Sequence, residues 1–180
     1  AEAGSTVELF NGDTSLGTAT AGSDGTFSIT SSELADGIYV LLVKAKDAAG
    51  NENDVASNTI TLAVDTSIPT IGITSDVTSL KAGENATLTF TLSEESTDFV
   101  EADITATGGT ITGFSGSGTT YTATFTPTDD STDNGVISVS TSAFSDAAGN
   151  ENDSAGSITL PVDTSIPTIG ITSDVTSLKA

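Results

Sequence analysis

The sequence lacks cysteine, methionine, tryptophan, histidine and arginine, and it contains only four lysines. Without cysteine the chain forms neither a disulfide nor a thiolate metal site, so its redox compartment is left open. With histidine also absent, zinc and copper are poor candidates for a bound metal, and the commonest catalytic bases and nucleophiles are missing. No apolar run approaches the roughly 18 residues of a membrane span, and no segment resembles a signal peptide.

The charge of the chain is strongly one-sided. Twenty-five acidic residues against four basic ones give a formal net charge of −21. Such a surface repels phosphates and anionic lipid, so we expect no nucleic-acid partner, and without a long apolar run we expect no direct membrane insertion. The surface also repels itself, and a divalent cation would relieve that repulsion. Since 36% of the residues are hydrophobic and regularly patterned, the chain is not an acidic disordered tail.

Two sequence blocks occur twice. VDTSIPTIGITSDVTSLKA spans residues 64–82 and again 162–180, and DAAGNEND spans 47–54 and again 146–153. Both pairs describe a unit of about 100 residues, which is the size of one β-sandwich domain and too long for a solenoid repeat. The spacing therefore predicts consecutive units of a tandem array.

The repeat predicts three segments. Residues 1–64 are the C-terminal part of a domain whose first strands are missing, 65–162 are a complete domain, and 163–180 are the first strand of a following domain. The middle of the first unit does not align with that of the second, which indicates two subtypes of one architecture. Alone, the first unit would expose part of its apolar core.

Runs of alternating hydrophobicity predict β-strands in the complete domain. In 86–92, four apolar residues share one face and three threonines share the other, and 119–126 alternates in the same way. Further strands are predicted at 136–140, 157–162 and around Ile73, Ile104 and Ile111. About seven strands separated by Gly, Asn and Asp turns fit a Greek-key β-sandwich. Because Pro161 has no N–H, the last strand should lie at an edge or contain a bulge.

Strands are also predicted in the first unit, at 5–10, 15–20, 25–30, 38–46 and 57–64. Along 38–46, the face that carries Tyr39 should point inward, because Lys44 and Lys46 lie on the other face. The preceding DGIY turn resembles a tyrosine corner, in which the Tyr39 hydroxyl bonds to upstream backbone.

Three acidic segments should meet where the chain enters the complete domain. The linker at 64–69 lies there, and both the predicted loop SEES (93–96) and the motif at 146–153 return to the same end of a sandwich. The predicted metal ligands at this junction are Asp65, Glu94, Glu95, Asp146, Asn150 and Asp153, with Glu33 and Asp36 added by the preceding unit.

Calcium is the metal that best fits such a site. Carboxylates held close together repel one another unless a cation neutralises them, and Ca²⁺ takes six to eight oxygen ligands in flexible geometry. The alternative is that Asp and Asn only form a solubilising turn, with Gly50 and Gly149 supplying a positive φ. DDSTDNG at 129–135 has the oxygen spacing of half an EF-hand loop but lacks its terminal Glu and its helices; it could contact metal near Asp163 at the following junction.

The acidic units, with DAAGN before the last strand and VDTSIPT as the linker, resemble the bacterial Ig-like repeats of giant secreted adhesins of the repeats-in-toxin and biofilm-associated type. The resemblance covers the whole chain. It implies tandem immunoglobulin-like Greek-key sandwiches at the bacterial cell surface, stiffened into a stalk by calcium at the domain junctions. By position it implies the ligands Asp65, Asp146 and Asp153 with Glu94 or Glu95, while Asp47 and Asp54 would serve the preceding junction and Asp163 the following one.

The leading hypothesis is therefore a calcium-rigidified structural spacer of a cell-surface adhesin. Its partners would be the neighbouring domains of the same polypeptide, and a host or biofilm ligand would bind through other regions. The alternatives are a carbohydrate- or protein-binding adhesive module and a subunit of an extracellular filament assembled by strand exchange.

Two features bear on these alternatives. Sugar sites usually expose aromatic rings, and the rings outside the predicted core positions are Phe10, Phe99, Phe114 and Phe144. Glu94 and Glu95 could imitate a glycosidase pair, but a small sandwich offers no evident cleft. We therefore expect no enzyme.

Overall fold

The computed structural model describes residues 1–53 and 57–174 of the chain. Within it the chain forms two compact units, Ala1–Ser67 and Ile68–Ala180. Both units are built from β-strands, and the only helical segment of the described residues is a single 3-10 turn at Glu101–Asp103. The predicted all-β class is confirmed. The predicted ligand Asp54 lies outside the described residues, and so do residues 175–180 of the predicted first strand of a following domain.

The first unit contains one antiparallel sheet with the strand order β2-β1-β3-β4. Its strands are β1 (Thr6–Asn11), β2 (Thr14–Thr20), β3 (Gly37–Lys46) and β4 (Ile60–Val64). The pairing of β1 with β2 forms a hairpin, and its two-residue turn, Gly12-Asp13, has Gly12 at a φ of 59°. Val7 and Ala21 are buried, but other apolar side chains of this sheet are open to solvent; Ile38 is 74% exposed and Ile60 68%.

The faces of β3 follow the predicted alternation. Tyr39 is half-buried, whereas Lys44 and Lys46 are exposed. The Tyr39 hydroxyl donates to the carbonyl of Ala35 at 2.9 Å, which confirms the predicted tyrosine corner. The strand predicted at 25–30 is wrong, because this segment passes beside β2 without forming a ladder with it; the N–H of Ser32 bonds there to the carbonyl of Leu16.

The second unit is a sandwich of two three-stranded sheets with the orders β5-β7-β9 and β11-β10-β8. The chain passes from β7 to the opposite sheet and returns for β9, as Greek-key connections do. The strands are β5 (Ile71–Ser75), β6 (Leu80–Lys81), β7 (Ala86–Ser96), β8 (Ile104–Thr107), β9 (Gly109–Pro127), β10 (Gly135–Val139), β11 (Gly156–Leu160) and β12 (Val162–Asp163).

Alternate residues of β7, β9 and β10 form the core between these sheets. Leu88, Phe90, Phe125 and Ile137 are each 0% exposed, while the threonines of β7 lie on its other face. Each such side chain stabilises the fold by about 1.5–3 kcal/mol through burial. The Phe125 ring packs against glycine backbone on two strands, because a Cβ at Gly109 or Gly135 would come within 2.6 Å of ring carbons.

Pro161 marks the point where the chain changes sheets. β11 ends at Leu160, and β12 begins at Val162 and pairs in parallel with β6. The carbonyl of Pro161 accepts a hydrogen bond from the N–H of Leu80 at 2.9 Å. Because proline has no N–H for a ladder, the strand ends before it; β11 lies at the edge of its sheet, as predicted.

Candidate metal centre

The acidic turn of the second unit (146–153) is closed by the carboxylate of Asp146. Its Oδ1 accepts hydrogen bonds from the N–H groups of Ala148, Gly149 and Asn150 at 2.8–2.9 Å, and its Oδ2 accepts one from the Asn150 amide at 2.8 Å. The bond from the Asn150 side chain holds the pKa of Asp146 below its usual value, against the opposing effect of burial. Asp146 is therefore ionised at neutral pH although it is only 7% exposed.

Asp47 closes the described part of the first acidic turn (47–53) in the same way. Its carboxylate accepts bonds from the N–H and the side-chain amide of Asn51 at 2.8 and 2.7 Å, and the amide bond lowers the pKa of Asp47. The glycines Gly50 and Gly149 have φ values of 93° and 95°. The repeated Asp, Gly and Asn therefore fold the turn itself, as the solubilising-turn alternative expected.

Asn152 is a structural residue of the second acidic turn that the sequence reasoning missed. It is 1% exposed. Its Oδ1 accepts bonds from the N–H groups of Ala143 and Phe144 at 2.8 and 3.1 Å, and its Nδ2 donates to the carbonyls of Ser140 and Ser154 at 2.8 and 3.0 Å. The repeat could have identified this residue, because Asn53 occupies the equivalent position of the first acidic turn. Its side-chain oxygen accepts the N–H of Ala45 at 2.7 Å.

Within the second unit, a carboxylate oxygen of Glu94 lies within 4.8 Å of one of Asp146. Glu94 is half-buried near the end of β7. The prediction of a loop at 93–96 is wrong, because β7 continues to Ser96 after a register shift that places Ser96 opposite Gly118 of β9. A strand end that faces solvent accepts polar residues, so the loss of alternation there did not mark the strand's end.

The Glu94–Asp146 pair lies where the chain enters the second unit. The N–H of Thr70 donates to Oγ of Ser93 at 2.9 Å, and the N–H of Ser93 donates to the carbonyl of Thr70 at 3.0 Å. From there β5 runs antiparallel to β7, with Ile71 opposite Leu92. Since Glu94 directly follows Ser93, the pair is next to the incoming chain.

A third carboxylate, Asp98, connects β7 to the second acidic turn. Its Oδ1 accepts the hydroxyl of Ser96 at 2.7 Å and the N–H of Ser145 at 2.9 Å, and its Oδ2 accepts the hydroxyl of Ser145 at 2.6 Å. Burial opposes ionisation, but the bonds from Ser145 and Ser96 prevail and hold the pKa of Asp98 below its usual value. The sequence reasoning did not single out Asp98.

The remaining predicted ligands of the second unit are arranged differently. Glu95 and Asp153 are exposed, and Asn150 is half-buried against Asp146. Asp163 is exposed, and its Oδ1 accepts the N–H of Ser165 at 3.1 Å.

In the first unit, Glu33, Asp36 and Asp65 are all exposed. Asp65 accepts the N–H of Ser67 at 3.1 Å. Asp36 accepts the N–H and the hydroxyl of Thr66, both at 2.7 Å, and the hydroxyl of Ser67 at 3.0 Å. The hydroxyl bond from Thr66 lowers the pKa of Asp36. Both oxygens of Asp36 are thus engaged within its own unit.

The loop at 129–135 is hydrogen-bonded to the chain that follows β12. The N–H of Ser131 donates to Oγ1 of Thr164 at 2.9 Å, and the N–H of Thr164 donates to the carbonyl of Ser131 at 2.8 Å. Thr164 is 3% exposed. This loop therefore holds the residue next to Asp163.

Comparison with known protein families gives two matches, both to models of bacterial Ig-like domains. One model matches residues 65–162 and the other residues 1–66, and the first alone covers more than half of the chain. The chain belongs to the bacterial Ig-like domain family. A search of curated proteins found no significant match.

Bacterial Ig-like domains are typically non-catalytic modules with a structural or adhesive role, often at the cell surface or outside the cell. Their immunoglobulin-like sandwich agrees with the two facing sheets of the second unit. Among the described residues, no helix has the length and apolarity needed to cross a membrane.

In the bacterial Ig-like domain at 65–162, the aromatic rings form an internal cluster around Phe99. Its ring centroid lies 5.1–5.8 Å from those of Phe90, Phe114, Tyr121 and Phe144. Phe99 and Phe144 are 3% and 2% exposed. These two rings therefore stabilise the core, and the prediction that placed them outside the core positions is wrong.

Proposed function

We propose that this chain is a structural extender of a large bacterial cell-surface adhesin, in which calcium bound where successive bacterial Ig-like domains join stiffens the array. The observation that carries the proposal is the approach of the Glu94 and Asp146 carboxylates to within 4.8 Å of each other beside the incoming chain. Two like charges at that distance repel, and a divalent cation between them turns the repulsion into attraction.

Asp65 is the third ligand that we propose. It lies in the segment matched by the family model at 65–162 and five residues before Thr70, whose backbone is bonded beside Glu94. Five extended residues span at most about 18 Å, so the linker is short enough for Asp65 to reach the pair. A ligand on the linker is what would allow an ion to fix the joint between two domains.

The donor set favours calcium over other metals. Carboxylates and amide oxygens are hard ligands, and Ca²⁺ completes its six to eight positions with backbone carbonyls and water. The Oδ1 of Asp146 already accepts three hydrogen bonds, but its Oδ2 accepts one, from the Asn150 amide, so Oδ2 keeps a lone pair for the ion. Asn150, Asp153 and Glu95 are further candidates from the same segments.

Isothermal titration calorimetry tests the binding. Wild type should bind Ca²⁺ in the micromolar to millimolar range typical of sensor and extracellular sites. Glu94→Gln should weaken binding by about tenfold or more, because it removes one charged ligand. Glu101→Gln is the matched control; it removes the same charge from the exposed 3-10 turn and should change affinity by less than about twofold.

Small-angle scattering tests the stiffening. In calcium the chain should sample a narrower range of maximum dimensions than in EDTA, because the joint between the domains is fixed. Asp65→Asn should show the same broad range in both conditions. Absence of calcium binding would refute the metal site. Binding without any change in scattering would refute the stiffening while leaving the metal site intact.

A further inference from the structure

We propose that Asp98 is a positioning residue for calcium, which holds the Glu94-bearing end of β7 against the Asp146-bearing turn without itself binding the ion. The Asp98 bridge, formed by Ser96, Asp98 and Ser145, joins residues that lie 47 positions apart. Ser96 is two residues from Glu94, and Ser145 is the neighbour of Asp146. This inference rests on the proposed calcium function.

The bridge is anchored in the core on the β7 side. The buried hydroxyl of Tyr121 donates to the carbonyl of Ser96 at 2.8 Å, and Oγ of Ser96 also accepts the N–H of Phe99 at 3.3 Å. Tyr121 and Phe99 belong to the aromatic cluster, with ring centroids 5.1 Å apart. A chain of hydrogen bonds thus connects Tyr121 in the packed core, through Ser96 and Asp98, to Ser145 next to Asp146.

The acidic turn does not need the bridge in order to fold. In the first unit, Lys46 occupies the place of Ser145, since Lys46 pairs with Glu52 as Ser145 pairs with Glu151. Lys46 forms an ion pair with Glu52 at 3.2 Å, and Asp47 still closes its turn. The contribution of Asp98 is therefore the connection between turn and strand.

Such a connection matters because the two carboxylates it brings together repel each other when no cation is present. If the carboxylates of Glu94 and Asp146 separate, calcium binding must first bring them together again. The apparent calcium affinity is then the intrinsic affinity multiplied by the fraction of molecules in which the two carboxylates are already close. Loss of outer-shell partners of metal ligands typically lowers metal affinity by about 10–100-fold.

Calorimetric titration of the full chain with CaCl₂ tests the role, using two substitutions at one position. Asp98→Ala removes the acceptors and should weaken calcium binding by about tenfold. Asp98→Asn loses the same charge but keeps an oxygen for the N–H of Ser145, so it should stay within about threefold of wild type. Asp103→Ala is the control; Asp103 accepts a local bond, from the N–H of Val100 at 2.8 Å, and its loss should change affinity by less than about twofold.

Amide hydrogen exchange without calcium supplies a second readout. The N–H of Ser145 should exchange at least about tenfold faster in Asp98→Ala than in wild type. Equal weakening of calcium binding by the Ala and Asn variants would show that charge or direct ligation acts, and would overturn the positioning role. An unchanged exchange rate, or unchanged affinity in Asp98→Ala, would overturn it as well. If wild type binds no calcium, the proposed function fails, whereas the exchange rate still reports whether the bridge forms.

Discussion

The amide of Asn152 joins four backbone groups of the chain that carries Asp146, and each of its polar atoms is bonded. A buried donor or acceptor that loses its partner costs about 1–3 kcal/mol. One side chain can therefore determine whether the segments before and after the acidic turn stay together. The same residue type at Asn53 performs part of this task in the first unit.

Replacing Asn152 by alanine should lower the free energy of unfolding of the second domain by about 2–4 kcal/mol. The N–H groups of Ala143 and Phe144 would lose their acceptor in a site too buried for easy hydration. Urea denaturation followed by circular dichroism measures the change. Asn85→Ala is the control, since Asn85 is exposed, and a loss of equal size there would argue against the explanation.

The depressed pKa of Asp146 predicts a pH dependence. A folded pKa below the ordinary value of 3.8 means that the carboxylate contributes stability above about pH 3.8 and loses it as the pH falls through the folded pKa. In EDTA, Asp146→Asn should therefore be less stable than wild type at pH 7, and the difference should shrink between pH 4 and pH 2. A difference that stays constant across that range in denaturation curves would contradict the assignment.

At the scale of elements, the repeated linker DTS is fixed to its own domain by two different devices. In the first unit the carboxylate of Asp36 holds Thr66. In the second unit the backbone of Ser131 holds Thr164, the repeat equivalent of Thr66. The same linker sequence is thus hydrogen-bonded to its own domain in both cases.

Removal of the Asp36 acceptors should release only one of these linkers. Asp36→Ala should speed amide hydrogen exchange of Thr66 by about tenfold or more, because its N–H loses the 2.7 Å bond to the carboxylate. Thr164 is the internal control, since its N–H bonds to the Ser131 carbonyl. Equal acceleration at both threonines would indicate general destabilisation and contradict a local role.

Elements marked by periodicity could be predicted from the sequence, and contacts between distant loops could not. The alternation in 86–92 predicted the buried face of Leu88 and Phe90, and the missing N–H of Pro161 predicted the edge position of the strand before it. The repeat identified Asp146 but not Asp98, because Asp98 belongs neither to a repeated block nor to an alternating pattern. Its partner Ser145 lies far along the chain, so only the fold brings the two together.

The polar end of β7 shows the same limit. Residues 93–96 have no hydrophobic alternation, yet the strand continues through them, because its backbone meets Gly118 after a register shift. Strand pairing is decided by backbone partners, and hydrophobic alternation reports only which residues face the core. This extension places Glu94 on an ordered strand and not on a loop.

At the scale of the whole molecule, the net charge of −21 destabilises the folded chain through self-repulsion. Raising NaCl from 10 to 100 mM shortens the screening length from about 30 to about 10 Å. The same repulsion is relieved by any cation, so an increase in stability on adding calcium does not by itself establish a binding site. The two effects must be separated at constant ionic strength.

Differential scanning calorimetry in 100 mM NaCl makes that separation. One millimolar CaCl₂ should stabilise the second domain by about 1.4 kcal/mol if calcium exceeds its Kd about tenfold. MgCl₂ at equal concentration should do less, because Mg²⁺ demands stricter geometry and retains its water. Glu94→Gln should lose the stabilisation that is specific to calcium, because it removes one ligand. It should keep the stabilisation by NaCl, because about twenty net negative charges remain. Equal responses to calcium and magnesium, or a Glu94→Gln variant that still gains fully from calcium, would reduce the effect to screening.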